Sequence, residues 1–164
     1  MKKYEFTGET KRVELWNRTA TLHRIKATVE FGFVKVGELG GWIEKEENLS
    51  HEGKAWVWGN AKVWGNAKVC GDAKVCGDAE VCGDAKVFLA SHVLVMGSVG
   101  SRNDFTTFFR DKDNEITVKC GCFLGKIDKF LEKVTQTHGN NKYALVYRAA
   151  VEVAKLQIEL TERK

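Results

Sequence analysis

Between residues 49 and 104 an apolar side chain returns at every sixth position. From Val57 the chain reads VWGNAK, VWGNAK, VCGDAK, VCGDAE and VCGDAK, followed by the looser VFLASH, VLVMGS and VGSRND. Valine opens each hexad, at positions 57, 63, 69, 75, 81, 87, 93 and 99. Strand side chains alternate between two faces, so each valine and the alanine four residues later aim the same way. Gly-Asn and Gly-Asp pairs between them tolerate positive φ and sharp bends. So strict a period predicts a parallel β-helix in which each hexad is one side and the eight valines share one core.

The flanks follow other patterns. Residues 2–36 alternate weakly (YEFTG, TLHRI, ATVEFGFVKV), as short antiparallel strands do. A glycine-rich turn over 37–41 then ends on Trp42 and Ile43, and Ile43 and Leu49 keep the six-residue step, so the first circuit is expected to begin there. Residues 1–48 therefore read as an amino-terminal β cap, which stacked strands need because an open end exposes core and unpaired backbone. Downstream, FTTFFR and EITVKCGCF flank the polar cluster Asp111–Asn114 and predict a hairpin. Ile127, Phe130, Leu131 and Val134 fall at helical spacing, with His138-Gly139 as the helix end. A second helix is expected from Asn140-Asn141 towards Glu159. The chain thus divides into a cap (1–48), an array (49–104) and a ββαα module (105–164), and its class is mainly β.

The VxGDAx hexads resemble the hexapeptide-repeat family, in which three hexads make one circuit of a left-handed, triangular β-helix. Handedness and triangular section are what the resemblance implies. The pattern departs from the family after Val87, where Leu89, Val95 and Ser101 stand in place of glycine. The stretches GGWIEKEENLSHEGKAWVWGNAKV and TTFFRDKDNEITVKCGCFLG are similar to small hexapeptide-repeat proteins encoded by phages and prophages. That resemblance implies a homotrimer about an axis parallel to the β-helix, working in the cytoplasm of a host cell. Stacking at intervals of about eighteen residues sets Trp58, Cys76 and Leu94 in one outward ladder. It sets Trp64, Cys82 and Gly100 in a second, and Cys70 and Phe88 in a third. Trp58, Trp64 and Leu94 are too apolar for water and are expected at the oligomer interface or under the chain's own termini. Lys62 should lie over Glu80, and Asn66, Asp84 and Arg102 in one column, with Asp84 as the partner of Arg102.

Composition narrows the partners. Net charge is +4, and Lys and Arg against Asp and Glu run 9 to 8 in residues 1–48, 6 to 6 in 49–104 and 11 to 8 in 105–164. There is no basic stripe of the kind a DNA or RNA binder needs. No apolar run reaches membrane length, and MKKYEFTGETKR has no signal-like apolar segment, so a cytoplasmic protein is expected. Five cysteines, an odd number, read as reduced thiols. Cys70, Cys76 and Cys82 occupy one slot of successive hexads and would lie on different faces, too far apart to bridge or to share a metal. Cys120 and Cys122 form a lone C-x-C without a second ligand pair. Neither a metal nor a cofactor is expected.

The junction Ser98–Arg110 (SVGSRNDFTTFFR) is the best site candidate. Arg102 and Arg110 offer bidentate donors for a phosphate or carboxylate, Ser101, Thr106 and Thr107 offer hydroxyls, and Phe109 could stack on a base. Three functions compete. The resemblance suggests an acyltransferase, but that needs a placed general base, and His92, the histidine within the hexads, occupies a corner slot. A metal enzyme like the γ-class carbonic anhydrases needs convergent histidines, and His51 and His92 are 41 apart, off the stacking interval. A non-enzymatic phage protein that sequesters a small, anionic, nucleotide-derived host signal suits the junction chemistry better. A structural or protein-binding module is the third reading.

Overall fold

A computed structural model describes residues 2–160 of the chain. The chain is mainly β, with 41% strand and 21% helix. The amino-terminal strands β1 (Tyr4–Glu14) and β2 (Thr19–Ala27) form an antiparallel hairpin, and β2 pairs antiparallel with β3 (Leu39–Ile43). From β3 onward the pairing becomes parallel. Six dipeptide strands follow: β4 (Trp56–Val57), β5 (Lys62–Val63), β6 (Lys68–Val69), β7 (Lys74–Val75), β8 (Glu80–Val81) and β9 (Lys86–Val87). Val57 pairs with Val75, Val63 with Val81 and Val69 with Val87, each in parallel and eighteen residues on. The chain therefore returns to lie beside itself, and the hexad is one third of each return.

Packing explains why valine and alanine recur. Val57, Val63, Val69, Val75, Val81 and Val87, with Ala55, Ala61, Ala67, Ala73, Ala79 and Ala85, are all no more than 1% exposed and share one core. The corner glycines take positive φ, and at Gly71 a Cβ would stand 2.7 Å from the carbonyl oxygen of Phe88. Tyr4, Ile25, Val34 and Trp56 close one end of this core, and Phe109 closes the other.

The first circuit carries two extra residues. Ile43 pairs with Val63 and Leu49 with Val69, steps of twenty, before the interval returns to eighteen at Val57. Between Ser50, whose amide donates to Val69, and Lys54, whose amide donates to Gly71, His51 and Glu52 are the insertion. His51 stacks on Tyr4 at 4.1 Å, and its Nδ1 accepts from the Lys3 amide.

Parallel stacking ends at Val87. Beyond it a 3-10 turn (Ala90–His92) replaces the Gly-Asx corner, and β10 (Val93–Val99) pairs antiparallel with β11 (Asp104–Arg110). β12 (Ile116–Cys120) and β13 (Phe123–Lys126) complete a four-stranded sheet in the order β10-β11-β12-β13. Valines 93 and 99 thus leave the shared core: Val93 only borders it, and Val99 packs in the second one. Helix α1 (Ile127–His138) ends at Gly139, and α2 (Lys142–Gln157) starts from Asn141, whose side chain accepts from the Ala144 amide. The helices cover the outer face of the sheet, burying Phe108, Val118, Phe130, Val134, Tyr147 and Val151 together. Among the described residues no helix is long and apolar enough to cross a membrane.

Candidate functional site

Strand β11 has two faces, and this decides which junction residues share a site. Thr107 and Phe109 look towards the array: the Thr107 hydroxyl accepts from the Glu80 amide at 3.0 Å, and Phe109 is fully buried among the valines. Thr106 and Phe108 look towards the helices. Arg110, on that second face but at the far end of the strand, donates to the Lys86 carbonyl at 2.8 Å and to Asn114 at 3.0 Å. Its guanidinium lies 5.0 Å over the Phe88 ring. Thr107, Phe109 and Arg110, expected to bind a ligand, are instead parts of the seal between sheet and array.

Ser101, Arg102 and Thr106 do come together. They line a cavity of about 230 Å³, open on one side, between the β10–β13 sheet and the two helices. Three turns form its mouth: Gly100–Asn103, Gly121-Cys122 and the end of α1. Gly100 sits at φ +80°, and a side chain there would collide with the Tyr147 hydroxyl. Gly121 takes φ +56°, and a Cβ there would stand 2.9 Å from the Arg102 guanidinium. Both glycines therefore admit a functional side chain close to the backbone.

The floor is aromatic and aliphatic. Phe130 meets Tyr147 edge-on at 5.6 Å and Phe123 at 5.4 Å, and His138 stacks on Tyr147 at 5.8 Å with 25° between planes. Val99 and Val134 complete it, and Arg102, Lys133, Asp104, Ser101 and Thr137 stand around the rim. Burial, reinforced by the neighbouring Cys120, pushes the Tyr147 phenol up to about 12, so it stays a neutral hydroxyl at physiological pH. Cys120 and Cys122 both line the cavity, and the Thr106 hydroxyl reaches the Cys120 sulfur at 3.3 Å. An apolar floor takes a ring or short hydrocarbon, while two cations at the mouth hold an anion in water. Lys133, His138 and Tyr147 are absent from the sequence-based set. Tyr147 lies on a buried helix face and His138 at a helix end, and neither signal tells core from cavity wall; Lys133 is one exposed lysine among several and carries no signal in the sequence.

The other sequence-based positions settle elsewhere. Trp64 lies 4% exposed beneath the amino-terminal hairpin, packed with Ala20, Leu22, Trp42 and Cys82. Leu94 packs into the second core under the helices. Both are covered by the chain's own termini. Trp58 is half-buried beside Phe33 and Lys74, at a shallow cleft of about 380 Å³. Lys62 pairs with Glu80 in register as expected. Asp84 does not meet Arg102 but pairs with Lys112 at 3.5 Å, because the eighteen-residue interval ends before residue 102.

Cys82 and His92 serve the frame. Burial pushes the Cys82 thiol up to about 12, and no cysteine is bridged. His92 is fully buried, with Nδ1 accepting from the amides of Phe88 and Leu89. Among the described residues no group of His, Cys, Asp or Glu could hold a metal ion. A wider groove of about 600 Å³, lined by Leu15, Trp16, Arg18, Trp64, Lys119 and Leu124, meets the cavity at the Gly121-Cys122 turn. No protein-family model matches the chain, and no curated protein matches it.

Proposed function

We propose that this is a non-enzymatic protein that captures a small, anionic, nucleotide-like molecule. The observation that carries the reading is the cavity: an aromatic floor of Phe130 and Tyr147 with Arg102 and Lys133 at one mouth. A planar base or ring enters the floor, and a phosphate or carboxylate stays at the rim with the two cations and the hydroxyls of Ser101 and Thr137. The eighteen-residue parallel stacking supports reading the array as the left-handed β-helix of the hexapeptide-repeat proteins. On that reading the protein is phage-encoded, assembles as a homotrimer through the face carrying Trp58, and sequesters a nucleotide-derived defence signal in the host cytoplasm. The acyltransferase reading needs an accessible histidine base, and His92 is spent on two backbone amides inside the frame.

The test is native mass spectrometry of the purified protein, with small molecules released by heat and identified. An anionic, ring-containing compound bound by the unaltered protein and lost from Arg102→Ala and Lys133→Ala is the expected result. Both residues are exposed, so both variants should melt within a degree or two of the parent. Ligand retained by both variants would refute the assignment.

A further inference from the structure

Away from the cavity, the outer side of α2 carries an apolar stripe. This helix buries one face on the sheet and α1 through Ala144, Tyr147, Ala150, Val151 and Ala154. A surface helix normally turns charge to the other side. Here Leu145, Val153 and Leu156 are 60%, 45% and 88% exposed. With exposed Ala149 they fall within an arc of about 80° on a helix of 3.6 residues per turn. Arg148, Glu152 and Lys155 line a single edge of that arc. Glu152 and Lys155 face each other within the helix at 3.4 Å and stay largely in water. Among the described residues no element covers the stripe.

We infer that a second copy of this chain covers it, with the two α2 helices packed antiparallel about a two-fold axis. The charge order selects this occupant. When a helix is laid against its own reversed copy, the charged edges meet, as like edges do in any antiparallel pair. A dyad midway between residues 152 and 155 sets Glu152 opposite the partner's Lys155, and Lys155 opposite the partner's Glu152. A parallel copy would instead turn the two charged edges to opposite sides, where neither pair can form. In the same register Val153 meets the partner's Val153 beside the dyad, and Leu156 falls between the partner's Ala149 and Val153, so a large residue enters a gap left by smaller ones. A self-complementary pattern with these properties is what an isologous contact requires. Two four-turn helices form a contact at the small end of specific interfaces, below about 1,200 Å², so association should depend on concentration. The contact uses none of the cavity's residues. It doubles whatever the array forms, giving dimers from monomers or hexamers from trimers.

Sedimentation velocity on the full chain over a wide concentration range tests this. The wild type should populate an even-numbered assembly, and Leu156→Glu should halve its mass while leaving the melting temperature unchanged, because Leu156 touches no core. The decisive arm is a charge swap. Glu152→Lys sets two ammonium groups about the dyad, and Lys155→Glu sets two carboxylates there. Each variant alone should fail to pair, and a mixture of the two should restore pairing at one to one. An odd-numbered or monomeric wild type, an unchanged mass in Leu156→Glu, or no association in the mixture would overturn the inference. Retention of ligand by Leu156→Glu separates this result from the fate of the cavity assignment.

Discussion

The array and the module that follows it solve the same problem, burying apolar surface, with opposite materials. The array uses one branched and one small residue per hexad, repeated along one shared core, and the valines and alanines from Ala55 to Val87 are shielded to within 1%. The carboxy-terminal module sets large aromatics on two helices against a short sheet. Rings of different sizes do not tile, and a cavity of about 230 Å³ remains beside Phe130 and Tyr147. Regular packing makes a frame and irregular packing leaves room for a ligand. Strand β11 belongs to both, with Phe109 closing the tube and Phe108 facing the helices.

Perturbing the joint should have the largest effect. Asp111 is 3% exposed, and its carboxylate accepts from the amides of Asp113 and Glu115, the Thr117 hydroxyl at 2.7 Å and the Lys126 ammonium at 3.2 Å. Asp111→Ala leaves the two amides and the Thr117 hydroxyl without their acceptor, while Lys126 keeps Asp113 and Glu115, and should cost about 3–5 kcal/mol, read as a large drop in urea midpoint. A cut inside the frame ranks next. Val69→Ala, between Leu49 and Val87, opens a void in a tube without slack and should cost about 2–3 kcal/mol. Tryptophan fluorescence should report loosening while the ligand site persists until unfolding.

Gly100→Ala sharpens the contrast from the other side. The new methyl collides with Tyr147 at a residue with φ +80°, so it should cost about 1–2 kcal/mol and abolish ligand capture, leaving the array intact. Equal loss of stability in Val69→Ala and Gly100→Ala, with ligand lost in both, would erase the distinction between frame and site.

The smallest effect concerns the capped end of the tube. Lys3 is 3% exposed, and its ammonium donates to the carbonyls of Glu52, Gly53 and Ala55. Burial lowers it from 10.5 to about 8. Between those values the unfolded chain binds the extra proton, so stability should rise as pH increases from about 8 to 10.5. Denaturant midpoints across that window check the sign, and Lys3→Met should flatten the rise.

Much of this was legible one residue at a time. The hexad period identified the six core valines, and the Gly-Asx pairs marked the corners, because both are local and repeated. Asn141 and Gly139 marked the helix junction for the same reason. The seventh and eighth valines, expected in the same core, were misplaced because a run of β-formers does not say which strand it will join. The Leu89–His92 turn sends that run antiparallel, away from the stack. At the junction, proximity in sequence placed Arg110 beside Arg102, yet a strand advances about 3.3 Å per residue. Eight residues and a reversal of direction put the two guanidiniums at opposite ends of the sheet, one at the cavity and one at the array.

Taken alone, the sequence determined the repeat, the mainly β class, the hairpin and the helical pair, since each follows from spacing and turn chemistry within a few residues. The tertiary structure decided where the array stops, which face of β11 meets the helices, and that Lys133, His138 and Tyr147 join Arg102 around one cavity. Those outcomes rest on contacts between residues dozens of positions apart, which strand alternation and helix docking select together and no local pattern records.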